Sequence, residues 1–368
     1  MYVVQPLLPL FVEVYGISVS ASSLSLSVTI ISLIIGLIVL GFYSDRVGRT
    51  GFIHFSLFGS VIPFFLIPIT ESFFMLLLLR FVQGFALAGL PATAIAYINE
   101  EVDSKSSGIA TALYISNNAI GGMAGRVLTG YITDYYSWET AFYFFGILGM
   151  VIAVLVFLLL PKSRHFQSSN MSFRKDVEGF LFHLKNPAIL IVIGIGVVLQ
   201  LTFTGIWTYL PFYLQAEPFY LPLETISYTF FAYGLGVIGS PLASWLAGKF
   251  SLDKVRLIGI FVFSFGVFLT VVSHLTIVII GLCVMCLGFF TAHSLTAASV
   301  AAKAEHHKGS ASSLYLVAYY IGVTLGSSAV SPIWNSFGWF GVVLLLGLLP
   351  LFYIGFVAQV SKKFRRGH

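Results

Sequence analysis

Long apolar runs separated by short polar turns set the pattern of this chain. Runs of about 20 mostly apolar residues suffice to cross a bilayer. Such runs fall near 21–43, 51–69, 73–98, 107–133, 138–160, 187–214, 223–248, 256–273, 275–302, 309–331 and 338–360. An apolar stub, Met1 to Tyr15, precedes them. The pattern therefore predicts eleven full spanning helices and one short one.

The turns alternate in charge. Seventeen of the 19 Lys and Arg residues lie in one alternating set: Arg46 and Arg49, Lys105, the 161–186 stretch, Lys249 to Arg256, Lys303 and Lys308, and the basic end 361–368. The opposite set holds Glu13, Glu71, Asp134, Glu139, Glu217 and Glu224 with no cation. Short basic loops remain on the cytoplasmic side, so the central stretch and the C-terminus are expected there. Only Arg80 and Arg126 stand inside apolar runs. Intramembrane cations are expensive and commonly line a pathway.

Composition agrees with lipid as the solvent. Of 368 residues, 58% are hydrophobic and 9% charged, against roughly 25% charged in soluble domains. The net charge of +5 sits in loops between apolar runs, with no nucleic-acid motif. Cys283 and Cys286 form a CxxC inside an apolar run, without the second pair or polar loop of a metal or redox site, and read as buried cysteines. His274 and the His306-His307 pair are too isolated to hold a metal. No cofactor is implied: GxxxxGK[ST] is absent, and no loop could hold a nucleotide domain. An apolar stub without a basic leading segment is not a cleavable signal peptide.

The polar stretch 161–186 divides the spans six and six, and the two sixes repeat. Gly108, Leu113, Tyr114, Gly121, Gly125 and Trp138 match Gly309, Leu314, Tyr315, Gly322, Gly326 and Trp339 at an offset of 201. Pro9 matches Pro211 at 202, and Gly36 matches Gly239 at 203. Duplication of a six-helix unit explains the near-constant offset. The expected organisation is an N-terminal bundle 1–160, a cytoplasmic linker 161–186, a C-terminal bundle 187–360 and a basic cytoplasmic tail 361–368. By the same offset the first helix begins partway along. A helix of about 15 residues reaches about 22 Å, short of a 30 Å hydrocarbon core. Either the start site lies upstream of Met1, which is the expected reason, or the short helix is real and the inner half of the pathway is altered.

The turn after the first full span reads Gly41-Phe-Tyr-Ser-Asp45-Arg46-Val-Gly48-Arg49-Thr50. Glycines 41 and 48 permit a tight turn, and both arginines can pair with Glu100, Glu101 and Asp103 on the same side. This turn resembles the GxxxDRxGRR signature of the major facilitator superfamily. Arg80-Phe-Val-Gln83-Gly84 resembles its RxxQG element. Gly121-Gly122-Met-Ala-Gly125-Arg126-Val-Leu-Thr-Gly130 resembles its glycine-rich exporter element, with Arg126 where many members have proline. The second-half turn Ser244 to Phe250 is a worn copy lacking the acid and paired arginines. Gln5-Pro6-Leu7-Leu8-Pro9, Gly239-Ser240-Pro241, the segment through His293 and Tyr319-Tyr320-Ile-Gly322 are similar to the YnfM-type branch of inner-membrane exporters.

The resemblance implies an all-α membrane fold of two six-helix bundles with pseudo-two-fold symmetry, rocking about a midplane site. Gly121, Gly125 and Gly130 would let their helix pack closely against its symmetry partner, whose Gly322 and Gly326 do likewise. The substrate and coupling candidates are Arg80, Arg126, Glu13, His293, Gln5, Gln83, Tyr315, Tyr319 and Tyr320. Glu13 is the nearest carboxylate to answer the arginines, and bracing through backbone carbonyls is their other role. His293, with an ordinary pKa of about 6.5, suits proton exchange. Trp207 and Tyr209 join the tyrosines as an aromatic wall. The expected function is proton-coupled efflux of a small organic solute, by a monomeric multi-pass transporter of a bacterial inner membrane. The alternatives are a proton-coupled importer of an organic anion, an inactive or scaffold membrane protein, and a lipid-acting membrane enzyme. HExxH and GxSxG are both absent, which weighs against the enzyme.

Overall fold

The computed structural model describes residues 1–168, 173–304 and 308–366. His306, His307 and the last two residues of the tail lie outside that range. All regular structure among the described residues is helical. A 3₁₀ turn, Tyr2–Val4, leads into α1 (Leu8–Tyr15), followed by α2 (Val19–Val47), α3 (Thr50–Leu66), α4 (Phe73–Leu87), α5 (Gly89–Glu101), α6 (Ser104–Tyr135) and α7 (Trp138–Leu159). After α8 (Phe173–Leu184) come α9 (Pro187–Gln215), α10 (Leu223–Tyr228), α11 (Leu235–Lys249), α12 (Leu252–Leu269), α13 (Leu275–Lys303), α14 (Lys308–Ser328) and α15 (Ser331–Arg366). With α4–α5 and α10–α11 each taken as one broken segment, six segments precede α8 and six follow it. Eight of the described helical segments are long and apolar enough to cross a membrane. Outward-facing side chains such as Phe74, Ile147 and Leu158 are apolar and exposed, the inverse of a soluble surface and the surface that lipid covers.

Local chemistry explains the ends and breaks. Ser18, Ser137, Asn186 and Ser251 cap α2, α7, α9 and α12, each accepting a backbone N–H of the first turn. The single span expected over 73–98 is two helices. Pro91 has no N–H to give the Leu87 carbonyl, so the ladder opens there. Ser56 of α3 fills the gap, donating to Leu87 O at 2.9 Å and accepting from Leu90 N at 3.0 Å. The span expected over 223–248 is interrupted by a 3₁₀ stretch, Thr229–Gly234. In α15 the backbone turns at Gly338, with φ +58°, so the last long run starts beside Trp339.

Two compact units emerge: Met1–Phe173 with Pro222–Tyr228, and Arg174–Leu221 with Thr229–His368. This differs from a division at 160 and 187, because α10 packs on α6: Ser227 occupies the space a Cβ would need at Gly130. The linker region carries α8. In the first unit, Gly84 brings α4 against α2 so closely that a Cβ would overlap the Thr29 carbonyl and the Ser32 hydroxyl. The many serines of α2 are buried without cost to this packing. Ser22, Ser25, Thr29 and Ser32 each donate to a backbone carbonyl, Ser22 reaching Leu8 O at 2.6 Å.

Gly84→Ala is expected to destabilise the protein by about 1–3 kcal/mol through overpacking, read as a lowered thermal unfolding midpoint in detergent. Gly51, where a Cβ would meet nothing within 4 Å, should tolerate alanine with an unchanged midpoint.

Candidate functional site

The turn between α2 and α3 is built by Gly48, whose φ of +128° is open to glycine and strained for other residues. That conformation folds Arg49 back onto α2. Its Nη1 pairs with Asp45 and donates to Ser44 Oγ at 3.2 Å, while Nη2 reaches Glu100 Oε1 on α5 at 2.9 Å. Burial opposes the Arg49 charge, and its hydrogen bonds to Glu100 and Asp45 outweigh that, so the guanidinium is held above its ordinary pKa. Arg46 plays a different part: its guanidinium lies 3.5 Å over the Phe42 ring and donates to Phe42 O. Glu101 accepts the backbone N–H groups of Arg164 and His165 at 2.7 and 2.8 Å, tying the linker region to α5. Asp103 is exposed. In the second unit, Lys249 sits 3.8 Å over Trp245. Arg256 bridges Asp253 and Ser299 at 2.6 and 2.8 Å, a link between α12 and α13 that motif reading missed.

Arg80 and Arg126 converge on the first five residues. Arg80 is fully buried on α4. It donates to Ser25 O of α2 at 3.1 Å, to Met1 O at 2.7 Å and to Gln83 Oε1. Gln83 passes the link on, donating to Ser60 O at 2.9 Å. Arg126 on α6 donates to Gln5 Oε1 at 2.8 Å and to Gly122 O at 2.7 Å, and its guanidinium lies 4.1 Å over the Tyr2 ring. The acceptors are thus carbonyls and carboxamides. Glu13, expected to answer the arginines, is exposed on α1. Leu8, Pro9 and Phe11 of that helix are buried, and Glu13 lies beyond them, two residues before the helix ends at Tyr15.

Gly125 on α6 and Gly322 and Gly326 on α14, expected to pack symmetry-related helices together, each meet the first segment of their own half, whereas Gly130 on α6 meets Ser227 and Leu223 of α10. Gly125 faces Val3 at 3.7 Å, whereas Gly322 faces the Val197 carbonyl and Gln200. Gly326 meets the Leu201 carbonyl and Gly205. Val3 and Gly205 are themselves repeat-equivalent, so the same contact occurs twice. Gly121 has nothing within 4 Å of a built Cβ.

The second unit holds an aromatic column. Trp207 stacks on Phe230 at 4.7 Å and meets Tyr233 at 4.9 Å. Tyr233 meets Phe203 at 5.2 Å, Phe203 stacks on Phe289 at 3.8 Å, and Phe289 stacks on His293 at 5.3 Å. His293 Nδ1 shares a hydrogen bond with Tyr315 OH at 2.9 Å. Its ring contacts Tyr319 at 5.2 Å, which in turn meets Tyr320 at 5.1 Å. Trp207 joins this column; Tyr209 does not, for it donates to Ser327 O and stacks on Trp334. Phe203, Tyr233 and Phe289 are members that sequence reasoning passed over. Helical spacing on one stripe, 200, 203 and 207, was the available signal.

The family model described as Major Facilitator Superfamily matches residues 1–327. The chain belongs to that superfamily. The inner membrane transport protein YnfM of Escherichia coli is 30% identical over 349 residues, covering 95% of this chain and 84% of that protein. The MFS-type transporter YybF of Bacillus subtilis is 32% identical over 365 residues, covering 98% of this chain and 90% of its own length. Among solved structures, the nucleoside transporter NupG superposes with a TM-score of 0.78 at 15% identity, over 96% of this chain and 94% of that one. A bacterial homologue of the lysosomal transporter Spinster gives 0.75 at 15% identity, over 96% and 90%. These two likenesses concern the fold. As a facilitator-superfamily protein the chain is a multi-pass membrane transporter, and the signature turn, the arginine clamp and the aromatic column are the polar and aromatic features its fold must accommodate.

Arg126 and Gln5 act as one unit. Arg126→Met and Gln5→Leu are expected to be non-additive, with a coupling of about 1–3 kcal/mol in a double-mutant cycle of detergent denaturation. Arg80→Lys should not restore stability lost in Arg80→Met, because an ammonium cannot span three divergent acceptors as a planar fork does.

Proposed function

We propose that this transporter works by alternating access as a monomer in a bacterial inner membrane, with its C-terminus cytoplasmic, and exports a small organic solute in exchange for protons. The observation that carries the reading is His293. It is a titratable side chain in the interior of α13, hydrogen-bonded to Tyr315 of α14 and placed at one end of a surface of aromatic rings. A group that gains and loses a proton beside a solute-sized aromatic surface can couple the two fluxes. The Arg49–Asp45–Glu100 cluster holds the α2–α3 turn to α5, and its role in this reading is to stabilise one of the two alternating states.

A second reading, import of an organic anion, draws on a relative. The cis,cis-muconate transport protein of Acinetobacter baylyi is 25% identical over 233 residues, covering 61% of this chain and 56% of that protein. Arg80 and Arg126 would be its anion-binding groups. The donors of both point at carbonyls and carboxamides of the chain, which favours bracing over anion capture. The inactive-scaffold and lipid-enzyme readings have no comparable support.

Inside-out vesicles with an acidic lumen separate these readings. Addition of a transported solute from a panel should alkalinise the lumen for an exporter, and acidify it for a symporter run in reverse. His293→Gln should reduce the proton response about tenfold or more at normal membrane expression. An undiminished response would remove His293 from the coupling role.

A further inference from the structure

Two polar atoms on α9 are out of place. Trp207 Nε1, a donor, and Gln200 Oε1, an acceptor, are buried with no hydrogen-bond partner among the described residues. Trp207 is 0% exposed and Gln200 2%. Leaving such groups unpaired costs about 1–3 kcal/mol each, and native interiors seldom tolerate it without a use. Gln200 does satisfy its other end, donating from Nε2 to Thr204 Oγ1 at 3.0 Å. In that arrangement the carboxamide oxygen is the atom left open. Trp207 is likewise held by stacking on Phe230. The two residues are seven apart, close to two helical turns. They therefore share one stripe of α9 and lie about 10 Å apart along the axis. Phe203, between them, belongs to the aromatic column.

We propose that these atoms are polar anchors of the solute site, and that the solute is flat, aromatic and uncharged, with a hydrogen-bond acceptor at one end and a donor at the other. Trp207 Nε1 donates to the acceptor and Gln200 Oε1 receives the donor. The solute's ring lies beside Phe203, which occupies the stripe between the two anchors, with a hydrogen bond of about 3 Å at each end. The ring lies against the partly exposed face of the column, formed by Tyr233, Phe290 and His293, where stacking is favourable. An uncharged solute is expected because both anchors, Trp207 and Gln200, are neutral. The repeat makes the assignment specific to one half. At the offset of 202, Trp207 corresponds to Gln5, whose oxygen is already taken by Arg126. The first half has closed the position that the second half leaves open.

This inference rests on the transporter reading but not on its direction or coupling, and binding alone tests it. The full chain in nanodiscs is dialysed to equilibrium against three neutral probes. These are para-aminoacetophenone, with donor and acceptor; its N,N-dimethyl analogue, with the acceptor only; and para-ethylaniline, with the donor only. The first should bind about tenfold more tightly than either of the others, the worth of about one buried hydrogen bond. Trp207→Phe, which keeps an aromatic ring, should weaken the two acceptor probes about tenfold and leave para-ethylaniline unchanged. Gln200→Met should weaken the two donor probes and leave the dimethyl analogue unchanged. Absence of saturable binding, equal binding of all three probes, or a uniform loss of all three in either variant would overturn the proposal. Probe binding in this crossed pattern, with no proton response in the vesicle assay, would retain the site and reject the exchange mechanism instead.

Discussion

A guanidinium in an apolar interior must be surrounded by acceptors, and the first half of this chain is arranged around that requirement. Arg80 draws a carbonyl from α2, a carbonyl from the N-terminal segment and the carboxamide of its own helix neighbour. Arg126 closes on the same segment from α6 through Gln5 and Tyr2. Water cannot supply those acceptors in hydrocarbon, so the chain does. The buried serines of α2 follow the same rule, their hydroxyls spent on carbonyls, and this lets α2 lie against Gly84 of α4. Where Pro91 breaks the ladder, Ser56 completes it.

The two halves share a packing contact and differ in chemistry. The contact of the glycine helix with the first segment recurs, Gly125 on Val3 and Gly326 on Gly205. The polar content does not recur. The first half carries the buried cations, bonded to carbonyls and carboxamides. The second has a column of rings ending at His293 and Tyr315, with a donor and an acceptor left open on α9. In the proposed reading, the first half braces and the aromatic half receives solute, as suits a rocking carrier in which packing between helices survives while the site changes its exposure.

Charge at the loop ends serves a separate purpose. Arg49 joins α2, the following turn and α5 in a single cluster, with Asp45 and Glu100 offsetting its burial. The second half replaces this with a cation on a ring at Lys249 and Trp245 and a bridge from Arg256 to Ser299. The two ends are therefore held by interactions of different strength and different salt sensitivity, since a buried multi-donor pair is screened less than an exposed one.

The sequence by itself determined the helical membrane class, the six-and-six order, the signature turn and the two unusual arginines. Each of these depends on composition, period or short-range spacing, which a linear chain displays. It also pointed to His293 and its tyrosines, because a titratable group in an apolar run is visible without coordinates. Only the tertiary structure decided what answers what. Glu13 was the natural partner by charge, but it lies exposed near the end of α1. The acceptors proved to be neutral oxygens at Met1, Ser25, Gln5 and Gln83, up to 121 positions away. The α6 and α14 glycines were legible as close-packing positions, whereas the surface each one meets was not. Phe203, Tyr233 and Phe289 are ordinary apolar residues in the sequence and become a column only when three helices meet. The unpaired state of Trp207 and Gln200 is likewise invisible in sequence, because an unmet hydrogen bond is a property of the space around an atom rather than of the residue that carries it.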